Sequence, residues 1–97
     1  MKKKLYKDIK MKSGITLLKD SMVEVNPVKG NNHICHIVAD GNGYNVNYLA
    51  VFREPSMECF EKWSWDDLCE TPSGTEVEMD GHDPEGYPSW LLVAGLI

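Results

Sequence analysis

Apolar and polar residues alternate along the middle of the chain, which is the pattern of β-strands with one buried face. The run Met22–Val25 predicts a strand in which Val23 and Val25 point the same way. His33–Ala39 predicts a second strand. Tyr44–Phe52 predicts a third, with one face made by Tyr44, Val46, Tyr48 and Ala50. Weaker patterns over Tyr6–Met11 and Ile15–Leu18 extend the β-rich region towards the N-terminus.

Turn signals separate these segments. Asp40–Gly43 is the strongest hairpin signal, because glycine and asparagine tolerate the positive φ angles that tight hairpin turns require. Ser13-Gly14 and the loop from Pro27 to Asn32 mark two further breaks. Ile15–Arg53 is therefore predicted to form an antiparallel meander of three or four strands. Its strand length and order resemble those of an SH3-like barrel.

Helix signals appear in the C-terminal half. Ser56 is a typical N-cap residue, so we predict a short helix from there through Trp63, with Glu58 in its first turn. A strand over Cys59–Trp63 is the competing prediction, because its aromatic residues also alternate acceptably. Ser64 is expected to cap one further helical turn over Trp65–Glu70.

The remaining C-terminal segments predict a turn at Thr71–Gly74, a strand at Thr75–Met79 and a last short helix from Pro88 through Ala94. We expect the C-terminus to dock onto the sheet through Leu91, Leu92, Leu96 and Ile97. The sequence thus predicts an α+β, β-rich fold: an antiparallel meander or SH3-like partial barrel with one or two short helices in the C-terminal half. We expect one domain over 1–97, with the meander at 15–53 and an acidic, partly helical region at 54–97.

Length and composition limit the class of protein. Ninety-seven residues, of which 42% are hydrophobic and 26% charged, fit one small globular domain rather than a disordered chain. No apolar run approaches the roughly 20 residues that cross a bilayer. The N-terminal lysines precede no apolar stretch, so we expect no secretory signal. Three cysteines are too few for a disulfide scaffold, which indicates a reduced, cytoplasmic protein.

Charge is distributed very unevenly around the net value of −5. Met1–Lys19 contains seven lysines and one aspartate, whereas Glu54–Glu85 contains eleven acidic residues and a single lysine, Lys62. The acidic residues are interleaved with aromatic and aliphatic ones, which argues against a disordered acidic tail. Solubility is the simplest role for such a surface. The alternative is a partner that uses its negative field.

Residues that could carry chemistry do not form a recognisable site, so we expect no enzyme and no cofactor. The spacing of the soft ligands is wrong for a zinc site; these ligands are His33, Cys35, His36, Cys59, Cys69 and His82. Cys35 and His36 would face opposite sides of a strand. The N-terminal lysines could contact phosphates, but the acidic residues would repel nucleic acid, so direct binding is not expected.

A groove lined with arginine can bind regularly spaced carboxylates as it binds a nucleic acid, because arginine pairs with carboxylate as it does with phosphate. The predicted partner-binding residues, whose carboxylates we expect to lie mostly on one exposed side, are Asp66, Asp67, Glu70, Glu76, Glu78, Asp80, Asp83 and Glu85. In size, charge and lack of catalytic residues the chain resembles small phage-encoded acidic DNA-mimic inhibitors, among them anti-CRISPR proteins. The resemblance implies a viral protein that inhibits a nucleic-acid-binding complex in a bacterial host, with type I surveillance complexes as the target class.

A second class of function remains open beside the inhibitor. An SH3-like adaptor or accessory subunit would bind a protein through exposed aromatic residues rather than through charge. Its binding surface would centre on Tyr44, Tyr48, Trp63 and Trp65. Salt separates the two hypotheses, because an electrostatic mimic should lose affinity steeply with ionic strength and an aromatic groove should not.

Overall fold

A computed structural model describes all residues from Met1 to Ile97 as antiparallel sheets with short helices. The strands are β1 (Lys2–Lys4), β2 (Ile9–Lys10), β3 (Thr16–Leu17), β4 (Met22–Pro27), β5 (Ile34–Ala39), β6 (Asn42–Asn47), β7 (Leu68–Glu70) and β8 (Glu76–Glu78). The helices are α1 (Tyr48–Val51), α2 (Met57–Asp66) and α3 (Trp90–Val93). The predicted α+β, β-rich class is confirmed.

The main sheet has four antiparallel strands in the order β1-β4-β5-β6. Its last three strands follow one another along the chain as the predicted meander, and β1 adds to the free side of β4. The sheet is open, so β1 and β6 are its two edges. Two separate hairpins complete the β-structure, β2 with β3 and β7 with β8.

The hairpin between β5 and β6 turns where the sequence predicts. Ala39 pairs with Asn42, which leaves Asp40 and Gly41 as a two-residue loop. Both have positive φ, 51° and 80°, as a type I′ turn requires. This turn matches the right-handed twist of the strands that it joins and fixes their register.

The third predicted strand is too long: it ends at Asn47, and Tyr48–Val51 is a helical turn. Asn47 begins that turn, because its side-chain oxygen accepts a hydrogen bond of 2.9 Å from the Leu49 N–H. Tyr48, Val51 and Phe52 are all buried. A strand would point Val51 away from the other two, whereas a helical turn brings all of them into the core.

The helix after Ser56 is confirmed, and the competing strand over Cys59–Trp63 is wrong. Ser56 caps α2 by accepting from the Cys59 N–H at 3.3 Å. The predicted break at Ser64 is also wrong, since its hydroxyl donates to the Phe60 carbonyl within a continuous helix. α2 ends at Asp67, whose φ of 57° is left-handed, and the chain then enters β7 instead of another helical turn.

The core lies between the main sheet and the C-terminal segment. Val25 and Ile37 from the sheet pack in one cluster with Tyr48, Tyr87 and Leu91. Ring pairs at about 6 Å join Tyr48 to Phe52, Tyr48 to Tyr87 and Phe52 to Trp90. The expectation that Leu96 and Ile97 dock onto the sheet is wrong, because both are more than half exposed. No helix combines the length and the apolar character that crossing a membrane requires.

Candidate acidic interaction surface

Most of the predicted partner-binding carboxylates lie in solvent. The exposed ones are Asp66, Asp67, Glu70, Glu76, Glu78, Asp80 and Glu85. None of them forms an ion pair, since the ion pair of this structure joins the Met1 amino group to Glu24. Their negative charges are therefore available to solvent ions and to a partner.

Asp83 differs from the other seven, and the expectation that its carboxylate is exposed is wrong. It is 6% exposed and lies under the turn that joins β7 to β8. One carboxylate oxygen accepts from the hydroxyls of Thr71 and Ser73, at 3.1 and 2.6 Å. The other accepts from the N–H groups of Glu85 and Tyr87, at 3.0 and 2.9 Å. A buried carboxylate with these donors stabilises the fold and is not available to a partner.

The β7–β8 hairpin presents three carboxylates on its outer face. Alternation along the strands buries Cys69 and leaves Glu70, Glu76 and Glu78 exposed. The register places Glu70 directly opposite Glu76. Opposed residues of an antiparallel pair have Cβ atoms about 5 Å apart, and like charges there destabilise the pair. The fold therefore keeps an unfavourable concentration of negative charge at this position.

The end of α2 adds to the same charge. A groove of about 440 Å³ runs between α2 and the hairpin, and it is lined by Lys62, Trp63, Asp66, Leu68, Cys69, Glu70 and Glu76. Lys62 is its one cationic residue and pairs with none of these carboxylates. We define the acidic surface as the exposed carboxylates of this region: Asp66, Asp67, Glu70, Glu76 and Glu78.

The eight predicted residues do not all belong to that surface. Glu85 lines a different groove, of about 580 Å³, beside the loop Pro27–Asn32 and His82. Asp80 lies in the turn that follows β8, beyond both α2 and the hairpin strands. Of the eight carboxylates, Asp66, Glu70 and Glu76 line one groove, and Asp67 and Glu78 are exposed beside them along the chain.

The two tryptophans of α2 have different environments. Trp63 is half-buried, and its ring packs edge-to-face on Phe60 at 5.6 Å. Trp65 is 86% exposed and immediately precedes Asp66 in the acidic surface. Tryptophan is enriched at protein-binding surfaces and among the residues that dominate their binding free energy. Of the aromatic residues proposed for an adaptor, Tyr48 is fully buried and Tyr44 half-buried.

Two lysines of the N-terminal segment, together with Arg53, lie over aromatic rings. Lys3 lies 5.2 Å from the centre of Phe52, and Lys7 and Arg53 lie over Tyr6 at 5.4 and 5.0 Å. None of these cations pairs with a carboxylate. Lys3 and Arg53 share a shallow groove with Glu70, which marks the boundary between the basic and acidic regions.

The three histidines and the buried thiols of Cys35 and Cys69 are in structural positions. His33, His36 and His82 each have a hydrogen-bond partner, namely the Val93 carbonyl and the side chains of Asn45 and Asn32. Burial raises the pKa of the Cys35 thiol to about 12, so it is not a nucleophile at neutral pH. No three His, Cys, Asp or Glu side chains converge as metal ligands do.

No known protein family, curated protein or solved structure matches the chain. The SH3-like likeness therefore concerns strand length and order alone. What the acidic surface can do follows from its own geometry: exposed carboxylates, an exposed tryptophan and no ion pair to any of these carboxylates.

Proposed function

We propose that this chain is a non-enzymatic inhibitor that occupies the basic nucleic-acid-binding surface of a protein or ribonucleoprotein complex. The acidic surface makes the contact. The observation that carries the proposal is the direct opposition of Glu70 and Glu76 across the hairpin, without a paired cation. This arrangement opposes folding, and a partner with its own arginines or lysines would relieve it.

The spacing of the carboxylates supports mimicry of a nucleic acid. Glu76 and Glu78 lie two residues apart on one face of β8, which is about 6.6 Å along a strand. Asp66 approaches the hairpin across the groove, so negative charge extends over both elements. A partner that binds phosphates through arginine can bind these carboxylates with the same bidentate geometry.

Trp65 supplies the apolar anchor of the proposed contact. Its indole is exposed beside Asp66, and Leu68 next to it is 42% exposed. An arginine that pairs with a carboxylate here can also stack on the indole face. Aromatic anchors of this kind carry much of the binding free energy of protein interfaces.

The target class rests on the resemblance to phage-encoded DNA-mimic inhibitors. We propose a type I CRISPR surveillance complex in the cytoplasm of a bacterial host, which makes the chain a viral anti-CRISPR protein. It acts by occupation of the DNA path, with no cofactor and no direct contact to nucleic acid.

The test is a competition experiment. A labelled target DNA is bound to a purified type I surveillance complex, and the chain is added at several salt concentrations. We expect stoichiometric displacement of the DNA, weakening steeply with ionic strength. If this complex does not bind, a pull-down from host lysate, eluted in salt steps, tests whether another complex with a basic surface does.

Matched charge reversals identify the surface. Glu70→Lys with Glu76→Lys should weaken partner binding by at least tenfold, because both groups face the proposed contact. Asp80→Lys with Glu85→Lys changes net charge equally but lies outside the acidic surface, so its effect should be small. If the two pairs of substitutions weakened partner binding equally, the net charge of the chain, rather than the acidic surface, would determine binding.

The adaptor hypothesis keeps one observation in its favour, the exposure of Trp65. Tyr48 is fully buried, so the aromatic surface first considered for an adaptor is not available. If Trp65→Ala abolished binding, while salt and both charge reversals left it unchanged, the adaptor would replace the inhibitor as the proposed function.

A further inference from the structure

The two edges of the main sheet differ in their protection against pairing with another strand. The β1 edge consists of three lysines, Lys2–Lys4, which oppose the approach of another strand of like charge. The β6 edge, Asn42–Asn47, has no charged residue and no proline. Charged side chains and proline are the usual means of blocking a free edge. β6 is therefore open to pairing in a way that β1 is not.

The backbone of β6 has unpaired groups that face outward. The Tyr48 N–H donates to the His33 carbonyl at 3.0 Å, which marks that pair as hydrogen-bonded. Alternation then directs the groups of Asn42, Tyr44 and Val46 to β5 and those of Gly43, Asn45 and Asn47 away from it. These three outward residues are all exposed.

Side chains on the solvent face leave this edge uncovered. Asn45 is held over the sheet by a 2.9 Å hydrogen bond between its side-chain oxygen and His36 Nδ1. The His36 ring lies over Gly43, where an added Cβ would approach it to 2.7 Å. Nothing along Gly43, Asn45 and Asn47 therefore obstructs the approach of a second strand.

We propose that β6 is a self-association edge, which pairs antiparallel with β6 of a second copy of this chain. Centring the pair on Asn45 sets each Asn45 opposite its counterpart and each Gly43 opposite Asn47. The outward backbone N–H and C=O groups of the two strands then face each other and form about four new hydrogen bonds. Asn47 contributes its N–H alone, because its carbonyl serves the first turn of α1. The two four-stranded sheets become one.

A second copy fits this edge better than an unrelated peptide does. In the centred register Tyr44 lies opposite Val46 of the other copy on the core face, and aromatic–β-branched pairs are among the favourable cross-strand pairs. The uncharged edge selects no charged partner and brings no like charges together. Two six-residue strands bury less than the roughly 800 Å² per partner of a stable interface, so the dimer is weak and reversible.

Complementary substitutions at Asn45 test the proposal. Analytical ultracentrifugation from micromolar to near-millimolar concentration should show a reversible monomer–dimer equilibrium for the unaltered chain. Asn45→Lys alone and Asn45→Glu alone should each remain monomeric, because like charges meet at the two-fold axis. An equimolar mixture of the two should dimerise at least as well as the unaltered chain.

Asn45→Ala is the matched control. It loses the hydrogen bond to His36 but keeps the backbone edge, so it should still dimerise. Circular dichroism checks that each variant retains its sheet. A chain that stays monomeric throughout the range overturns the proposal. So does a dimer that Asn45→Lys and Asn45→Glu both leave intact, since that dimer would use another surface.

Discussion

The acidic surface and the loop that carries Asp83 belong to one acidic stretch of the chain, but their carboxylates have opposite roles. Asp83 is buried and accepts four hydrogen bonds, two from hydroxyls and two from backbone N–H groups. The five carboxylates of the acidic surface are exposed and unpaired. Both regions are rich in carboxylates. The available hydrogen-bond donors decide which carboxylate stabilises the fold and which remains free to bind.

The Asp83 loop is tied to the rest of the molecule at several further points. The Tyr87 hydroxyl donates to the Val25 carbonyl at 2.9 Å, deep in the main sheet. Ser89 caps α3 and donates to the Met79 carbonyl. Because Asp83 also bonds Thr71 and Ser73, the loop fixes the β7–β8 hairpin against the core. The acidic surface is thus presented on a rigid support.

Removal of the Asp83 carboxylate should have the largest effect on stability. Asp83→Ala should lower the free energy of unfolding by about 3 kcal/mol, because buried donors lose their acceptor. Asp83→Asn should lose less, since an amide oxygen still serves one pair of donors. Asp80→Ala, at an exposed neighbour, should change stability by within about 0.5 kcal/mol. Urea denaturation measures all three, and similar values for Asp83→Ala and Asp80→Ala would contradict the comparison.

Alkaline pH should destabilise the fold through the buried thiol and phenol groups of its core. Burial raises the pKa of Cys35 and that of Tyr87 to about 12, and it raises the pKa of Tyr48 further. Below about pH 9 these groups are protonated in both states, and their contribution is fully present. Above it the unfolded chain releases protons first, so stability falls as pH rises towards 12. Melting temperatures from pH 7 to 11 should show this decline, and it should be shallower in Tyr48→Phe. A flat profile would contradict it.

Two tyrosines test whether hydrogen-bond partners set the energetics of the core. Tyr87→Phe should cost about 1 kcal/mol, because the hydrogen bond from the Tyr87 hydroxyl to the Val25 carbonyl is lost while the Met1 amino group still donates to that carbonyl. The Tyr48 hydroxyl is buried with no partner, so Tyr48→Phe should leave stability unchanged or slightly higher. Paired denaturation curves give the comparison directly. A larger loss for Tyr48→Phe than for Tyr87→Phe would be the opposite of this expectation.

Charge reversal within the acidic surface should have the smallest effect on stability. Glu76→Lys removes the repulsion with Glu70 and creates an opposite-charge pair, so the free energy of unfolding should rise by a few tenths of a kcal/mol. Glu85→Lys, outside the surface, provides the control. Destabilisation by more than about 1 kcal/mol would mean that Glu76 supports the fold, as Asp83 does.

The sequence predicted the parts of the fold that depend on local pattern. Alternation predicted β4 and β5, and the turn signal at Asp40-Gly41 predicted the hairpin that joins β5 to β6. The end of β6 was missed because it depends on burying Val51 together with Tyr48, which is a tertiary requirement. Asn47 ahead of that turn was the available local signal.

The candidate site was predicted only in part, because sequence position gives charge but not hydrogen-bond partners. The turn-forming run Asp83–Gly86 indicated that this carboxylate could bond its own backbone, but not that Thr71 and Ser73 would reach it. Helical spacing from Phe60 could have shown that Trp63 turns inward, leaving Trp65 in solvent.

The three cysteines of the chain differ in a way that makes the acidic surface experimentally accessible. Cys35 and Cys69 are buried, whereas Cys59 is exposed on α2. Cys59 lies seven residues before Asp66, which is two helical turns along the same face, about 10 Å away. A maleimide dye or spin label will therefore attach at a single position without any engineered cysteine. Its signal will report directly on whatever covers the carboxylates beside it.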